Sequence, residues 1–232
     1  MICLIGIDCA TQPRKVGLAR GHLEGVRVIA DECLCGGPDA DPAEIVAGWI
    51  GESETALLAL DAPLGWASAL GPLLAGHQAG VAFDVPAHSL FRRLTDNDIA
   101  ARLDKRPLEV GANLISRTSV AAVDLLGKVR SMTGEPVPLA WSWSSTTRVS
   151  AIEVYPAATR IAHGAPAGSG RVDGLSSLQC DLDLDSLSVD ARDSLVCLVA
   201  AADFILGRAV HPTAVDEQII QEGWIWAASC GS

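Results

Sequence analysis

The sequence is short of basic residues: 17 Lys and Arg stand against 28 Asp and Glu, which gives a formal net charge of −11. Broad, sequence-independent binding of nucleic acid requires a cationic surface that releases counterions from the phosphate backbone. The charge therefore argues against a protein that grips nucleic acid unaided. It is compatible with an acidic metal site, because bound divalent cations neutralise the carboxylates that hold them.

The sequence also lacks long apolar runs and a basic leader. No apolar run approaches the ~20 residues that a helix needs to span a bilayer. The first segment, MICLIGIDCA, has no basic residue ahead of its apolar stretch and contains Asp8, so we interpret it as a strand and not as a signal peptide. We therefore expect a cytoplasmic protein with no membrane partner.

The seven cysteines lack the spacing of a zinc site. The close pair, Cys33 and Cys35, is separated by one residue, whereas structural zinc motifs place two to four residues between paired cysteines. Scattered cysteines in a cytosolic protein are usually reduced. We expect free thiols and neither a disulfide framework nor a zinc centre.

Apolar residues are plentiful, at 49% of the chain, and their pattern predicts an α/β domain. Three short apolar segments within residues 1–35, separated by Gly-rich breaks, predict an antiparallel meander of strands. The segment PDADPAEIVAGWIGES has a capping Asp, a Pro and helically spaced apolar residues, which predicts a helix. The apolar run ALLALDAP then predicts a buried central strand. The chain therefore opens in the order β-β-β-α-β.

The remaining chain has a different pattern. From about 66 to 147, short helical stretches alternate with Pro, Gly and Ser, which predicts a mostly helical insertion that covers one end of the sheet. The segment SAIEVYP predicts a further strand, residues 163–188 a loop, and SVDARDSLVCLVAAADFILGRAV a strong helix. The closing EGWIWAAS fits a last short strand. We expect one domain over residues 1–232.

Single acidic residues occur at or near the ends of the apolar strands. Asp8 lies in the first strand, Asp61 ends the buried strand, and Glu153 lies in the later one. An acid in an apolar strand is costly to bury unless it is paired or bound to metal, and ligands bind at the carboxyl edge of open α/β sheets. Asp190 and Asp193 share one face of the last helix, although acids in a first turn also serve as caps. The alternative for Glu153 is a satisfied strand-end carboxylate.

The motifs GIDCATQPRKVGLA, LDAP and DARDSL follow one another along the chain in an order that resembles the RNase H-like superfamily. Asp190 and Asp193, three residues apart on the last helix, are similar to the pair on the last helix of RuvC-type nucleases. More narrowly, GID, ALDAPLGW, FRRLTD, EVYPAATR, DARDSLVCLVAA and EGWIWA resemble the family catalogued as domain of unknown function 429, described as predicted RNase H-like nucleases. The resemblance runs from Met1 to about Ala228. It implies a mixed five-stranded sheet, three antiparallel strands followed by parallel ones, flanked by helices.

The resemblance also implies a metal-dependent phosphodiester hydrolase. Clustered carboxylates can hold two divalent ions, which activate a water and stabilise the leaving oxygen. Oxygen ligands suit hard cations, so Mg²⁺ or Mn²⁺ is the expected cofactor. The implied metal ligands are Asp8, Asp61 and Asp193, with Asp8 bridging, and Glu153 is the fourth catalytic candidate as an added ligand or a water-orienting group.

The segment FRRLTDND supplies the candidate substrate-binding residues Arg92, Arg93 and Asp96. Arginine binds phosphate through two parallel hydrogen bonds. The same segment also fits a helix start capped by Thr95 or Asp96, with the arginines on a solvated face. Both interpretations stay open at the level of sequence.

Three other functions fit parts of the pattern. The acidic charge favours a metal-dependent hydrolase or phosphotransferase that acts on a small phosphorylated substrate, or a non-catalytic scaffold with the same fold. An actin-like or sugar-kinase ATPase has a first phosphate loop similar to GIDCATQPRKVGLA, but it needs a second Gly-rich loop and an adenosine motif that this sequence lacks. Nucleic acid is the candidate partner of the nuclease hypothesis, and the sequence indicates no oligomeric state.

Overall fold

The computed structural model describes residues 2–37, 40–111, 113–143 and 147–230. Its strands are β1 (Ile2–Asp8), β2 (Gly17–Glu24), β3 (Arg27–Cys35), β4 (Thr55–Asp61), β5 (Val149–Glu153) and β6 (Leu178–Cys180). Its α-helices are α1 (Pro42–Gly51), α2 (Leu70–Ala75), α3 (Ala87–Phe91), α4 (Leu94–Leu103), α5 (Asn113–Thr133), α6 (Pro156–Ala162), α7 (Val189–Ile205) and α8 (Glu217–Glu222). None of the helices in these ranges is long and apolar enough to cross a membrane.

The strands form one mixed sheet in the order β5-β4-β1-β2-β3-β6. The first three strands are antiparallel neighbours, whereas β4 is parallel to β1 and β5 is parallel to β4. The predicted α/β class is confirmed, as are the β-β-β-α-β opening and the mixed sheet flanked by helices. The first five predicted strands all lie in this sheet, which has six strands where the resemblance implies five.

Two details of the predicted strands are wrong. The sheet has a sixth strand, β6, which pairs with β3 inside a segment predicted to be a loop. With three residues, β6 is too short for a period-two pattern to be visible. The closing segment EGWIWAAS forms isolated bridges at Ile225 and Ala228 in place of a strand.

Both faces of the sheet are covered by helices. On one face α7 lies across β1 to β4, and on the other α1 and α5 pack against each other and the sheet. Alternate residues of β4 therefore enter different cores: Leu58 and Leu60 lie towards α1 and α5, whereas Leu57 and Ala59 lie towards α7. Because β4 is buried on both faces, its sequence is a continuous apolar run and does not alternate between apolar and polar residues.

The helix α7 lies unusually close to the sheet, and two glycines permit the approach. A Cβ atom at Gly6 would collide with the Ser194 carbonyl oxygen, and one at Gly17 would collide with the carbonyl oxygen of Asp190. Both collisions involve backbone atoms, which cannot swing aside as a flexible side chain could. The start of α7 is thereby held beside the carboxyl end of β1.

Between β4 and β5, the described residues form the four helices α2 to α5. The sequence predicts that this helical segment covers one end of the sheet. The structure shows more: Ala122, Leu125, Leu126 and Val129 of α5 join the core that lies between the sheet and α1. The inserted segment thus supplies, together with α1, the layer that covers this face of the sheet.

Candidate functional site

Asp8 and Asp61 end two adjacent parallel strands and are register partners, so they lie side by side at the carboxyl edge of the sheet. Partners in neighbouring strands project from the same face of a sheet. By strand alternation that face is the one of Leu4 and Leu57, which pack under α7. The strand ends therefore bring the two carboxylates together, as expected for the carboxyl ends of parallel strands.

The two carboxylates are half-buried, and both burial and neighbouring negative charges disfavour their ionised forms. Burial, and next the charge of Asp61, raise the pKa of Asp8 to about 9. Burial, followed by the charges of Asp193 and Glu153, raises the pKa of Asp61 to about 8. Neither carboxylate accepts a hydrogen bond from any residue in the described ranges. A cation bound between them would favour their ionised forms.

Asp193 lies in the second turn of α7, and its side chain is buried. Its Oδ1 atom accepts hydrogen bonds from the guanidinium of Arg160 and from the backbone N–H of Gly170, the latter at 2.7 Å. The charge of Asp193 also raises the pKa of both Asp8 and Asp61. The charge of Asp193 thus acts on Asp8 and Asp61, but its own carboxylate is ion-paired with the buried Arg160.

Asp190 lies in the first turn of α7 without capping it. The N-cap is Ser188, whose hydroxyl oxygen accepts a hydrogen bond from the Ala191 N–H at 3.1 Å. Asp190 is half-buried, and its charge is among those that raise the pKa of Asp8. Its backbone rests on Gly17, the register partner of Asp8, which accounts for this proximity.

Glu153 ends β5 but is the register partner of Leu60, not of Asp61. By strand alternation it therefore belongs to the opposite face from Asp8. Its carboxylate accepts two hydrogen bonds from Arg93, at 2.7 and 2.9 Å, and one from the Leu64 N–H at 2.9 Å. This pairing ties β5 to the loop that follows β4.

The candidate substrate-binding residues occupy two different environments. Arg93 and Asp96 are 1% and 2% exposed, and their side chains are joined by two hydrogen bonds. Asp96 also accepts the Arg93 N–H at 2.9 Å, so it caps the start of α4, as the helix-start interpretation predicts. The solvated position that this interpretation gives to Arg93 is wrong, because its guanidinium is buried against Glu153 and Asp96. Arg92 is partly exposed and donates to Glu109 at 2.7 Å. Of the three residues, Arg92 is the one open to solvent.

Three further residues around the site, Glu222, Arg160 and Tyr155, were not among the predicted site residues. Buried Glu222 accepts hydrogen bonds from the backbone N–H groups of Ser68 and Leu94, and its own carbonyl accepts one from Arg93. Arg160 and Tyr155 both lie in the EVYPAATR motif. The burial of Arg160, at 1% exposure, is visible only in the structure, so no local signal in the sequence points to it.

A pocket of about 230 Å³ opens at this edge of the sheet. The acids Asp8, Asp61 and Glu153 are among its lining residues. The other lining residues are largely apolar and include Pro107, Leu108, Ile115, Tyr155 and Ile225. Arg93 also lines the pocket, but its donors are engaged by Glu153, Asp96 and Glu222.

Within the described residues, no three His, Cys, Asp or Glu side chains are grouped so as to hold a metal ion. The contacts of Asp193 and Glu153 give the reason, because each is turned to a buried guanidinium. Of the four predicted catalytic acids, Asp8 and Asp61 are the two without an ion-pair partner among the described residues. Two carboxylates fit Mg²⁺, which usually keeps several waters and takes its remaining ligands from substrate phosphates.

These features define an α/β protein with a mixed sheet between two helical layers and acids at the carboxyl edge of that sheet. Among solved structures, the chain is similar to RuvC of T. thermophilus in complex with a Holliday junction substrate. The two sequences are 13% identical, the match covers 89% of this chain and 97% of that one, and the TM-score is 0.37. No family model matches the chain, and no curated protein matches it significantly.

Proposed function

We propose that this chain is a metal-dependent phosphodiester hydrolase, an RNase H-like nuclease of the kind that its motifs share with the family of domain of unknown function 429. The observation that carries the proposal is the Asp8–Asp61 pair: two adjacent carboxylates that face one pocket without a hydrogen-bond partner in the described ranges. Uncompensated charge of this kind is costly to keep unless a ligand uses it.

Asp8 and Asp61 would hold Mg²⁺ or Mn²⁺, since both ions prefer oxygen ligands. When bound, such an ion lowers the pKa of a coordinated water and stabilises negative charge on a phosphate. Asp193, fixed by Arg160, sets the charge beside the pair. Glu153 and Arg93 hold the loop after β4, and through it the end of the strand that carries Asp61.

We assign Arg93 and Asp96 to positioning, because their mutual hydrogen bonds leave them almost without exposure. Arg92 keeps the proposed role of a phosphate contact. It is partly exposed, and its guanidinium has donors beyond the one that binds Glu109.

A second candidate is hydrolysis or transfer at a small phosphorylated substrate, and the pocket favours it. A volume of about 230 Å³ with an apolar wall suits one phosphate ester and an attached apolar group. The pocket contains no uncommitted cation among the described residues that could bind a second phosphate. The net charge of −11 also disfavours a long polyanion.

The proposal is tested by assaying the native protein with Mn²⁺ against single-stranded, duplex, hybrid and branched nucleic acids, and against bis(p-nitrophenyl) phosphate. Asp8→Asn should abolish cleavage with the fold intact, whereas Asp181→Asn, at an exposed acid outside the site, should leave it unchanged. Cleavage of the small diester alone would select the second candidate. If the native protein neither cleaves any substrate nor binds Mn²⁺, the scaffold alternative stands and the hydrolase is excluded.

A further inference from the structure

We propose that Arg160 is the internal cation of the acidic site and takes the place of a second metal ion, so that the site binds one divalent ion per chain. This inference rests on the proposed function, because it concerns the same carboxylates. It departs from the two-ion arrangement that the sequence resemblance implies.

The position of Arg160 is the first observation. It lies in α6, the helix that starts three residues after β5 ends, and it is 1% exposed. Its guanidinium donates to Asp193 through Nη2, and its Nε donates to the Arg171 carbonyl oxygen at 2.7 Å. A buried guanidinium is retained only when it is paired, so Arg160 is built into the site and is not a surface charge.

The position of Asp193, the acid that Arg160 binds, is the second observation. Asp193 follows Asp190 by three residues on α7, and the Asp190 carbonyl lies against Gly17, the register partner of Asp8. The other buried arginine, Arg93, is held by Glu153 and Asp96. Arg93 therefore pairs with Glu153 and Asp96, whereas Arg160 is the buried cation of the cluster formed by Asp8, Asp61 and Asp193.

The charge balance gives the consequence. One guanidinium and one divalent cation balance the three carboxylates of Asp8, Asp61 and Asp193. A second divalent cation would leave excess positive charge in a half-buried site, where uncompensated charge is expensive. It would also have to take Asp193 from Arg160, which cannot be deprotonated in a protein and would be left buried without its partner.

The test is the stoichiometry of Mn²⁺ binding to the full chain, measured by titration calorimetry and by electron paramagnetic resonance. The native protein should bind one ion per chain and show no spin-coupled Mn²⁺ pair. Arg160→Gln, which removes the charge, should bind two ions, whereas Arg160→Lys, which retains it, should bind one. Arg171→Gln, at an exposed arginine in the adjoining loop, is the matched control and should also bind one.

A spin-coupled pair in the native protein would overturn the inference without any variant, and so would one ion in folded Arg160→Gln. Failure of the proposed function looks different, because the native protein would then bind no Mn²⁺. If Arg160→Gln does not fold, as judged by circular dichroism, the native stoichiometry still decides between one ion and two.

Discussion

Glu153 and Arg93 form a doubly hydrogen-bonded ion pair that is almost completely buried, at 3% and 1% exposure. The pair joins β5 to the start of α4, and the Leu64 N–H extends it to the loop behind Asp61. Glu153 was a candidate catalytic acid, yet its carboxylate is occupied by groups of the protein. We therefore expect it to act on stability and on the placement of Asp61.

Glu153→Gln should lower the free energy of unfolding by about 3–5 kcal/mol, because removing one partner leaves the other charge buried and less well compensated. Glu109→Gln, the same change in the partly exposed Arg92 pair, should cost below about 1 kcal/mol. Urea denaturation measures both values. Equal losses from the two variants would contradict the assignment of Glu153 to a buried structural pair.

The stability of the metal-free protein should fall as the pH rises. Asp8 and Asp61 have folded-state pKa values of about 9 and 8 against an ordinary value of 3.8, so the folded state binds more protons than the unfolded state between these limits. Their contribution to stability is therefore complete below about pH 4 and is lost as the pH rises to about 9. Thermal unfolding with a chelator present, over this range, measures the slope.

Asp8→Asn should reduce that slope and stabilise the metal-free protein at pH 8 by about 1–2 kcal/mol, or roughly 2–8 °C in Tm. The amide cannot ionise, so the variant no longer carries an uncompensated charge beside Asp61. Asp181→Asn, at an exposed acid, should change neither value. A lower Tm for Asp8→Asn at pH 8 would show that the carboxylate is satisfied in the metal-free protein.

Much of the fold could be predicted from local patterns. The helix α1 has its Asp41 cap and the strand β4 its continuous apolar run, and both signals lie within one element. The edge of the sheet that carries Asp8 and Asp61 followed from the parallel direction of their strands. The single-domain organisation, the ion and the substrate stay predictions.

The partners of the other acids depend on tertiary structure and could not be predicted. All five residues of β5 are buried, so no alternation in the sequence tells which face Glu153 belongs to. The strand register sets it, by pairing Glu153 with Leu60. Arg160 likewise resembles a solvated helical residue until α7 is packed against α6 and brings Asp193 to it.

Gly6→Ala should destabilise the protein by about 1–3 kcal/mol, the usual cost of overpacking a filled core. The new methyl group would meet the Ser194 backbone and the Cβ of Cys197, so α7 has to shift away from β1. That shift should also weaken Mn²⁺ binding, because Asp193 moves with the helix. Guanidinium denaturation and calorimetry measure the two effects.

Gly127→Ala is the control for this change and should have the opposite sign. Gly127 lies on the exposed side of α5, and a Cβ atom there meets no other atom within 4 Å. Alanine in an exposed helix position should stabilise the protein by about 0.5–1 kcal/mol. Destabilisation by Gly127→Ala and not by Gly6→Ala would mean that α7 does not lie against β1 as described.

Substitutions at Tyr155 should distinguish the two candidate substrates, a nucleic acid and a small phosphodiester. Its ring forms part of the apolar wall of the pocket, and burial, followed by the charge of Asp61, raises the pKa of its hydroxyl, which therefore stays a proton donor at neutral pH. Stacking on an aromatic ring contributes about 1–3 kcal/mol, so Tyr155→Ala should raise the KM for an aromatic phosphodiester by roughly tenfold or more. Tyr155→Phe retains the ring and should change KM by less than about threefold, while any fall in kcat would report the loss of the hydroxyl group.

Val26→Ala is the control for these variants. It changes an exposed apolar residue outside the pocket and should change neither constant. If Tyr155→Ala leaves KM unchanged for the small diester but weakens cleavage of single-stranded nucleic acid, the pocket receives one nucleotide of a longer strand, and the nuclease is favoured over the small-substrate hydrolase.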